Sequence, residues 1–283
     1  MPVVTADGIP TAYELVGEGP PLLAFSPGGF NATLDNWSSM GRYRDLRLIE
    51  HLSARFTCIV FDRREAGRSG GRVERITWDH YARQGLALLD QLGLDDADVL
   101  GGCVGCSVAL AVALAHPERV RRLVLFSPAG GARYRLAQQD RFAQHSAHVR
   151  HHGLSAVAQL AAAEGRSFSQ DPRVGPWAPV LRSDPVFAER FTGQDPDRYL
   201  TTVSAMSRLL FDRDTVPGAE PEDLLLLDRP ALVVPGDDPS HAVSAARYLG
   251  ECLPRATYWD APVSQQTEEA VAAQLLRFLA DEG

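Results

Sequence analysis

The turn Gly101-Gly102-Cys103-Val104-Gly105 constrains the fold of this 283-residue chain more than any other feature. It joins the apolar run ADVLGG to the Ala-rich run CSVALAVALA, a pattern typical of a buried strand that enters a helix directly. A side chain can project from so sharp a turn only if its neighbours are small, and the flanking glycines meet that need. Cys103 would sit at the positive end of the helix dipole, which favours a thiolate. We therefore take Cys103 as a candidate nucleophile.

Short β-like runs alternate with helical patterns over most of the chain. Strands are predicted at TAYELVG, PLLAFSP, FTCIVFD, ADVLGG, RRLVLFSP, PALVVPGDD and ATYWDAP. Helices are predicted at YRDLRLIEHLSA, WDHYARQGLALLDQLGL, CSVALAVALAHP and TEEAVAAQLLRFLADE. Strands that alternate with helices predict an α/β fold, with a mostly parallel sheet flanked by helices.

The alternation stops between Gly130 and about Pro230, where helical runs such as RLAQQDRFAQHSAHVRHHGLSAVAQLAAAEG occur instead. This stretch has apolar periodicity and no Gly/Ser-rich tract, so it is typical of a helical insertion and not of a linker. We expect residues 1–130 and 230–283 to form the core and residues 131–229 to form a helical cap. Such a cap would cover the carboxyl ends of the strands, where ligands bind in open α/β sheets.

Composition narrows the range of partners. The net charge is −8, every basic residue is Arg, and these Arg residues are scattered among acids, which argues against nucleic acid. No apolar run is long enough to cross a bilayer, and the first residues lack a signal-peptide pattern, so we expect no membrane contact and a cytoplasmic location. Four cysteines do not make a disulfide framework in a chain of this length. The expected partner is a small-molecule substrate, and a homodimer remains open.

The order of these motifs resembles the α/β-hydrolase superfamily over nearly the whole chain, with a cap inserted after the sixth strand. LLAFSPGGFNATLDNW resembles the oxyanion loop, although Ser26-Pro27 replaces the usual His. FDRREAGRSGG resembles the structural loop Asp-x-Arg-Gly-x-Gly-x-Ser, with Glu65 in place of the first Gly. The strand-to-helix turn resembles the nucleophile elbow, with Cys in the Ser position as in the dienelactone-hydrolase branch. RPALVVPGDDPSHAV resembles the strand and loop that carry the acid.

The resemblance implies roles for particular residues. Cys103 stands in the nucleophile position. The N–H groups of Val104 and Gly28 stand in the positions of the oxyanion hole, with Gly29 beside them, and would stabilise charge that develops on a carbonyl oxygen. Asp238 aligns with the acid of the family, and Asp237 is its competitor.

The base is the open question. The family places its catalytic His after the last strand, but the segment YWDAPVSQQTEEAV contains none, so the usual triad is incomplete. One alternative source is His241, which is otherwise a surface residue at the start of a helix. The other source is the cap run HSAHVRHH, which contains His145, His148, His151 and His152.

The candidate residues also have simpler explanations. The cap histidines could form a polar helix face or, with three of them on one face, a metal site. Cys103 and Cys106 have the spacing of a redox dithiol, although the elbow already explains this stretch. No cofactor is implied, because the chain has no Gly-x-Gly-x-x-Gly dinucleotide loop and no phosphate-binding Lys.

The leading hypothesis is an α/β-hydrolase-fold enzyme that acts on a small carbonyl substrate through Cys103 with a non-standard base. The substrate would be an ester, a thioester, a lactone or a compound with a C–C bond next to a ketone. The alternative is a non-hydrolytic protein of the same fold, either a lyase or cyclase of small-molecule metabolism or a ligand binder, which has lost the catalytic His. A dithiol redox protein is the third hypothesis.

Overall fold

A computed structural model describes residues 1–280, and its central element is an eight-stranded sheet with the order β1-β2-β4-β3-β5-β6-β7-β8. β1 and β2 pair antiparallel with their neighbours, and all other pairs are parallel. The predicted α/β fold with a mostly parallel sheet is therefore confirmed. The strands are β1 (Val3–Ala6), β2 (Ile9–Val16), β3 (Pro21–Phe25), β4 (Thr57–Phe61), β5 (Ala97–Gly102), β6 (Val120–Phe126), β7 (Ala231–Val234) and β8 (Ala256–Tyr258).

Helices cover both faces of the sheet, because successive side chains of each strand point to opposite faces. Leu23 and Val99 face a core shared with α4 and α5, whereas Leu22 and Leu100 face a core shared with α3 and α12. None of the helices within residues 1–280 is long and apolar enough to cross a membrane. The helices are α1 (Asn36–Ser39), α2 (Gly41–Leu46), α3 (Leu48–Ser53), α4 (Trp78–Gln91), α5 (Gly105–Ala115), α6 (Ala132–Glu164), α7 (Ala178–Ser183), α8 (Pro185–Thr192), α9 (Pro196–Leu210), α10 (Pro221–Leu224), α11 (Val243–Cys252) and α12 (Glu268–Ala280).

Two elements differ from the sequence-based expectation. The sequence did not predict β1, a four-residue edge strand of which only the last side chain is fully buried, so its apolar signal is weak. The single helix expected at YRDLRLIEHLSA is also wrong. Arg47 adopts a left-handed conformation with φ of 46°, which ends α2 and starts α3 in a new direction.

Helices α6 to α10 lie between β6 and β7, where the cap was expected. α6 bends at Gly153, which has φ of 75°, and it packs against α7, α8 and α9. Phe142 of α6 contacts Phe30 of the loop after β3, with ring centroids 5.5 Å apart, and thereby links this helical segment to the sheet. The boundaries of the cap at residues 131–229 stay a prediction.

Candidate active site

Cys103 stands on the sharp turn between β5 and α5. Its φ of 56° lies in the left-handed region, which is strained for a residue with a side chain. Two backbone hydrogen bonds hold it there, from Cys103 N to Phe126 O at 3.1 Å and from Ala129 N to Cys103 O at 3.2 Å. Gly105 must be glycine, since a Cβ there would lie 2.1 Å from the carbonyl oxygen of Phe25. The turn is thus held by close backbone packing, as a nucleophile on a strand-to-helix turn requires.

The loop between β7 and α11 brings an acid and a histidine together. His241 Nδ1 donates to Asp238 Oδ2 at 2.7 Å. The other carboxylate oxygen of Asp238 accepts the backbone N–H groups of Ser240 (2.8 Å) and His241 (3.1 Å), which closes the loop into a tight turn. Gly236 permits this path, since a Cβ there would lie 2.5 Å from the Cβ of His241. The imidazole is 15% exposed, whereas the carboxylate is 51% exposed.

The second ring nitrogen of His241, Nε2, is the one left to interact with the thiol of Cys103, because Nδ1 is held by Asp238. Burial alone would lower the pKa of His241, but its interactions with Cys103, and then with Asp238, raise it to about 9. Burial alone would raise the pKa of Cys103, but His241 lowers it below the usual value for a thiol. Nε2 has no well-aligned hydrogen bond to any described atom, and contacts of this kind tighten when a substrate binds. The pair therefore favours a thiolate beside an imidazolium.

Two backbone N–H groups also point at the sulfur of Cys103. They belong to Val104, which follows it, and to Gly28 in the loop after β3, and both lower the pKa of the thiol. The side-chain amide of Asn36 fixes this loop, because it donates to Pro27 O and to Asn31 O, each at 2.7 Å. These two N–H groups are the donors that the sequence suggested for an oxyanion hole.

Gly29, the other residue suggested for the oxyanion hole, lies next to Gly28 but has a different contact. Its carbonyl oxygen accepts a hydrogen bond from Arg63 Nη2. Arg63 was not among the residues predicted for the site, because it fills the variable position of the Asp-x-Arg motif. The available signal was its place directly after a buried parallel strand, where side chains face the ligand-binding edge.

Gln266 occupies the segment after β8 in which the family has its His. It is buried, and its amide nitrogen donates to Ala261 O at 2.8 Å and to Pro235 O at 3.0 Å. Its amide oxygen accepts from Arg42 at 2.6 Å, and Arg42 also donates to Ser127 at 3.0 Å. The neutral amide of Gln266 therefore has a structural role in this segment, because it joins Pro235, Ala261 and Arg42.

The cap histidines have other partners. His145 is buried, its Nε2 lies 2.6 Å from the hydroxyl of Tyr199, and burial lowers its pKa to about 4. The rings of His148 and His152 lie 4.8 Å apart, and His152 is also next to His151. Residues 1–280 contain no cluster of three side chains able to hold a metal ion.

Cys106 points away from the site. It is fully buried, its thiol donates to Gly101 O at 3.1 Å, and burial raises its pKa well above the usual value for a thiol. Both Cys103 and Cys106 are free thiols. Cys106 therefore behaves as a small core residue and not as a resolving thiol.

Two cavities differ in whether a candidate catalytic residue lines them. The larger, of about 800 Å³, is lined by Ala111, Leu226 and Arg229 among others and contains none of the candidate catalytic residues. A second cavity of about 350 Å³ lies beside Asp238 and is also lined by Gly131. Neither of these two cavities is lined by Cys103 or His241.

Comparison with known proteins supports this architecture. The sequence model of the alpha/beta hydrolase fold matches residues 21–155. The candidate carbamate hydrolase RutD of Caulobacter sp. (strain K31) is 30% identical over 245 residues, which cover 83% of this chain and 84% of that protein. The 2-hydroxymuconate semialdehyde hydrolase of Pseudomonas putida is 31% identical over 127 residues, which cover 45% of this chain and 43% of that protein. The RutD protein of Azorhizobium caulinodans is 34% identical over 125 residues, with 44% of this chain and 43% of that protein covered.

Solved structures show the same fold. The enol-lactonase of Burkholderia xenovorans LB400 superposes with a TM-score of 0.63 at 20% identity, over 99% of this chain and 100% of that chain. The chain matches less than half the length of the first curated relatives, but it matches RutD of Caulobacter sp. (strain K31) over most of its length. The protein belongs to the α/β-hydrolase fold family.

Proposed function

We propose that the protein is an acyl hydrolase that transfers the acyl group of a small carbonyl substrate to Cys103 and then to water. The observation that carries the proposal is that His241, which is hydrogen-bonded to the carboxylate of Asp238, also interacts with the thiol of Cys103 and lowers its pKa. The names of the relatives support a carbonyl substrate, because they refer to a carbamate hydrolase, a semialdehyde hydrolase and an enol-lactonase. The loop from Asp238 to His241 then supplies the base that the segment after β8 lacks.

In the first half-reaction the thiolate of Cys103 attacks the carbonyl carbon of the substrate. The carbonyl π electrons move to oxygen, and the N–H groups of Val104 and Gly28 stabilise that oxyanion. The oxyanion collapses, the bond to the leaving oxygen breaks, and protonated His241 donates its Nε2 proton to the leaving alcohol. The products are a thioester on Cys103 and neutral His241.

In the second half-reaction water replaces the alcohol. Neutral His241 accepts a proton from water while the water oxygen attacks the thioester carbon, and the same two N–H groups hold the new oxyanion. Collapse releases the carboxylic acid and returns the thiolate of Cys103 beside protonated His241. Asp238 holds the ring so that Nε2 faces the sulfur, and it stabilises the imidazolium.

Intact-mass measurement after mixing with p-nitrophenyl butyrate tests this function. We expect a single butyryl adduct that is absent from Cys103→Ala. We also expect the adduct of His241→Ala to decay at least about tenfold more slowly than that of the wild type, because general-base catalysis of this kind contributes at least that factor. If wild-type Cys103 reacts with a small alkylating reagent but forms no acyl adduct, the protein is a non-hydrolytic member of the fold.

A further inference from the structure

Arg63 and Tyr81 form a buried polar pair that the proposed acyl transfer does not use. Arg63 directly follows β4, is 6% exposed, and places its guanidinium carbon 4.0 Å from the centroid of the Tyr81 ring. Arg63 Nε and the hydroxyl of Tyr81 are both buried without a hydrogen-bond partner among the described residues. Buried polar groups are nearly always hydrogen-bonded, so both groups are available to an external ligand.

No carboxylate within residues 1–280 forms an ion pair with Arg63. The nearby acid, Glu65, is instead engaged by Arg64, with Arg64 Nε 3.0 Å from its carboxylate. Arg64 also forms an ion pair with Glu74. The guanidinium of Arg63 is thus buried without an ion-pair partner, so an anion that binds beside it would offset part of the cost of that burial.

The pair lies next to the candidate nucleophile. Arg63 Nη2 donates to the carbonyl oxygen of Gly29, whose neighbour Gly28 directs its N–H at the sulfur of Cys103. Tyr134, in the first turn of α6, is buried and lies close enough to interact with both the Cys103 thiolate and the Arg63 guanidinium. A ligand group held by Arg63 would therefore lie within one small substrate's length of the reacting carbonyl.

The geometry points to an anion subsite formed by Arg63, Tyr81 and Tyr134, which binds a carboxylate carried by the substrate near its reacting carbonyl. Arg63 Nε and the Tyr81 hydroxyl would donate to the carboxylate oxygens, and Tyr134 would line the cap side. Since it specifies the substrate of the acyl transfer proposed above, this subsite rests on that proposed function. The substrate class is then an ester or lactone that bears a carboxylate, which this subsite favours over a neutral ester.

Alkylation of Cys103 tests the subsite without any need for hydrolysis. Iodoacetate and iodoacetamide differ mainly in charge, and both alkylate a thiolate by displacement of iodide. The rate ratio of iodoacetate to iodoacetamide at Cys103 is measured by peptide mass and compared with the same ratio for free glutathione. We expect the ratio at wild-type Cys103 to exceed that of glutathione at least about tenfold, which is the scale of one hydrogen bond to a charged group.

Two variants separate Arg63 from the charge of His241. Arg63→Gln should lower the ratio about tenfold, and Tyr81→Phe, which removes a single oxygen atom, should lower it about threefold. Arg83→Gln is the matched control, because it removes the same charge from an exposed position on the helix that carries Tyr81, and it should leave the ratio unchanged. A wild-type ratio equal to that of glutathione, or equal ratios in the wild type and both subsite variants, would overturn the subsite.

The subsite and the acyl transfer fail in different experiments. If neither p-nitrophenyl butyrate nor the carboxylate-bearing mono-p-nitrophenyl succinate leaves an acyl adduct, but the iodoacetate preference depends on Arg63, the acyl transfer is wrong and the anion subsite stands. If the adduct forms and decays but the alkylation ratio does not depend on Arg63, the subsite is wrong and the acyl transfer stands.

Discussion

Asp238 Oδ2 and His241 Nδ1 lie 2.7 Å apart, and only two residues separate Asp238 from His241 in the chain. The resembled family takes its acid and its base from loops after two different strands, whereas here one loop after β7 supplies both. The same carboxylate also binds the backbone of this loop, so ring orientation and loop shape are coupled. The site therefore has a histidine near Cys103 without one after β8.

Asp238→Asn should weaken the base without changing the loop. The amide oxygen of Asn can still accept the N–H groups of Ser240 and His241, but it cannot stabilise an imidazolium by charge. We expect the pKa of His241 to fall below about 9 and the acyl adduct on Cys103 to decay about tenfold more slowly. Histidine NMR titration and intact-mass decay measure the two effects.

Asp237→Asn is the matched control for this variant, because Asp237 is adjacent to Asp238 and was its competitor for the role of the acid. It should leave both the titration and the decay unchanged. Equal effects of the two substitutions would show that general loop charge, and not the hydrogen bond of Asp238, acts on His241.

Gln266→Ala should destabilise the fold. The substitution leaves Pro235 O and Ala261 O without their amide donor and frees Arg42 from its acceptor. We expect the free energy of unfolding in urea to fall by about 2–3 kcal/mol. The neighbour Gln265 is exposed, and Gln265→Ala should change the free energy of unfolding by less than about 0.5 kcal/mol. Equal stability of the two variants would contradict a structural role for Gln266.

The left-handed backbone at Cys103 predicts an unusual order of stabilities. Cys103→Gly should be more stable than Cys103→Ala by about 1 kcal/mol, because glycine adopts a φ near 56° without strain. Elsewhere in a regular element the order would be reversed. Thermal unfolding of the two variants, both without the thiol, isolates the backbone term. If Cys103→Ala were more stable than Cys103→Gly, the backbone at residue 103 would not be strained.

The burial of Cys106 leads to a prediction about disulfide formation with Cys103. Its thiol is buried and donates to Gly101 O, so we expect no disulfide with Cys103 under mild oxidant. The number of titratable thiols in the unfolded protein should be the same before and after reduction. A reversible loss of two thiols, with Cys103 and Cys106 linked in the peptide map, would support a dithiol function instead.

The sequence predicted the parts of the site that are local in the chain. The glycines around Cys103 indicate the close approach of β5 and α5, and the two glycines after Pro27 indicate the loop that brings Gly28 to the thiol, so short motifs were sufficient for the backbone there. The parallel sheet could also be predicted from local patterns, because strand-like and helix-like runs alternate along the chain. The strand β1 could not be predicted because its apolar pattern is weak. The change of chain direction at Arg47 could not be predicted because no Gly or Pro marks it.

Other parts of the site depend on contacts between distant segments. Whether His241 faces solvent or Cys103 depends on how the loop after Gly236 packs, and the spacing of three residues from Asp238 fits both orientations. The exclusion of His145 depends on its contact with Tyr199, which is more than fifty positions away. Arg63 could not be assigned to the site from local patterns, because its partners Gly29 and Tyr81 belong to other segments of the chain.

The pH dependence of Cys103 alkylation by iodoacetamide tests the central pairing of Cys103 with His241 most directly. Only the thiolate reacts, and its fraction rises as the pH passes the pKa of the thiol. Since His241 lowers that pKa, wild-type Cys103 should reach half its maximal rate below about pH 8.5, the midpoint of an ordinary thiol. In His241→Ala, burial is opposed only by the N–H groups of Val104 and Gly28, so the midpoint should move above about pH 8.5 and the rate at pH 7 should fall at least about tenfold. His152→Ala in the cap should match the wild type, and a profile for His241→Ala that also matches it would contradict the account.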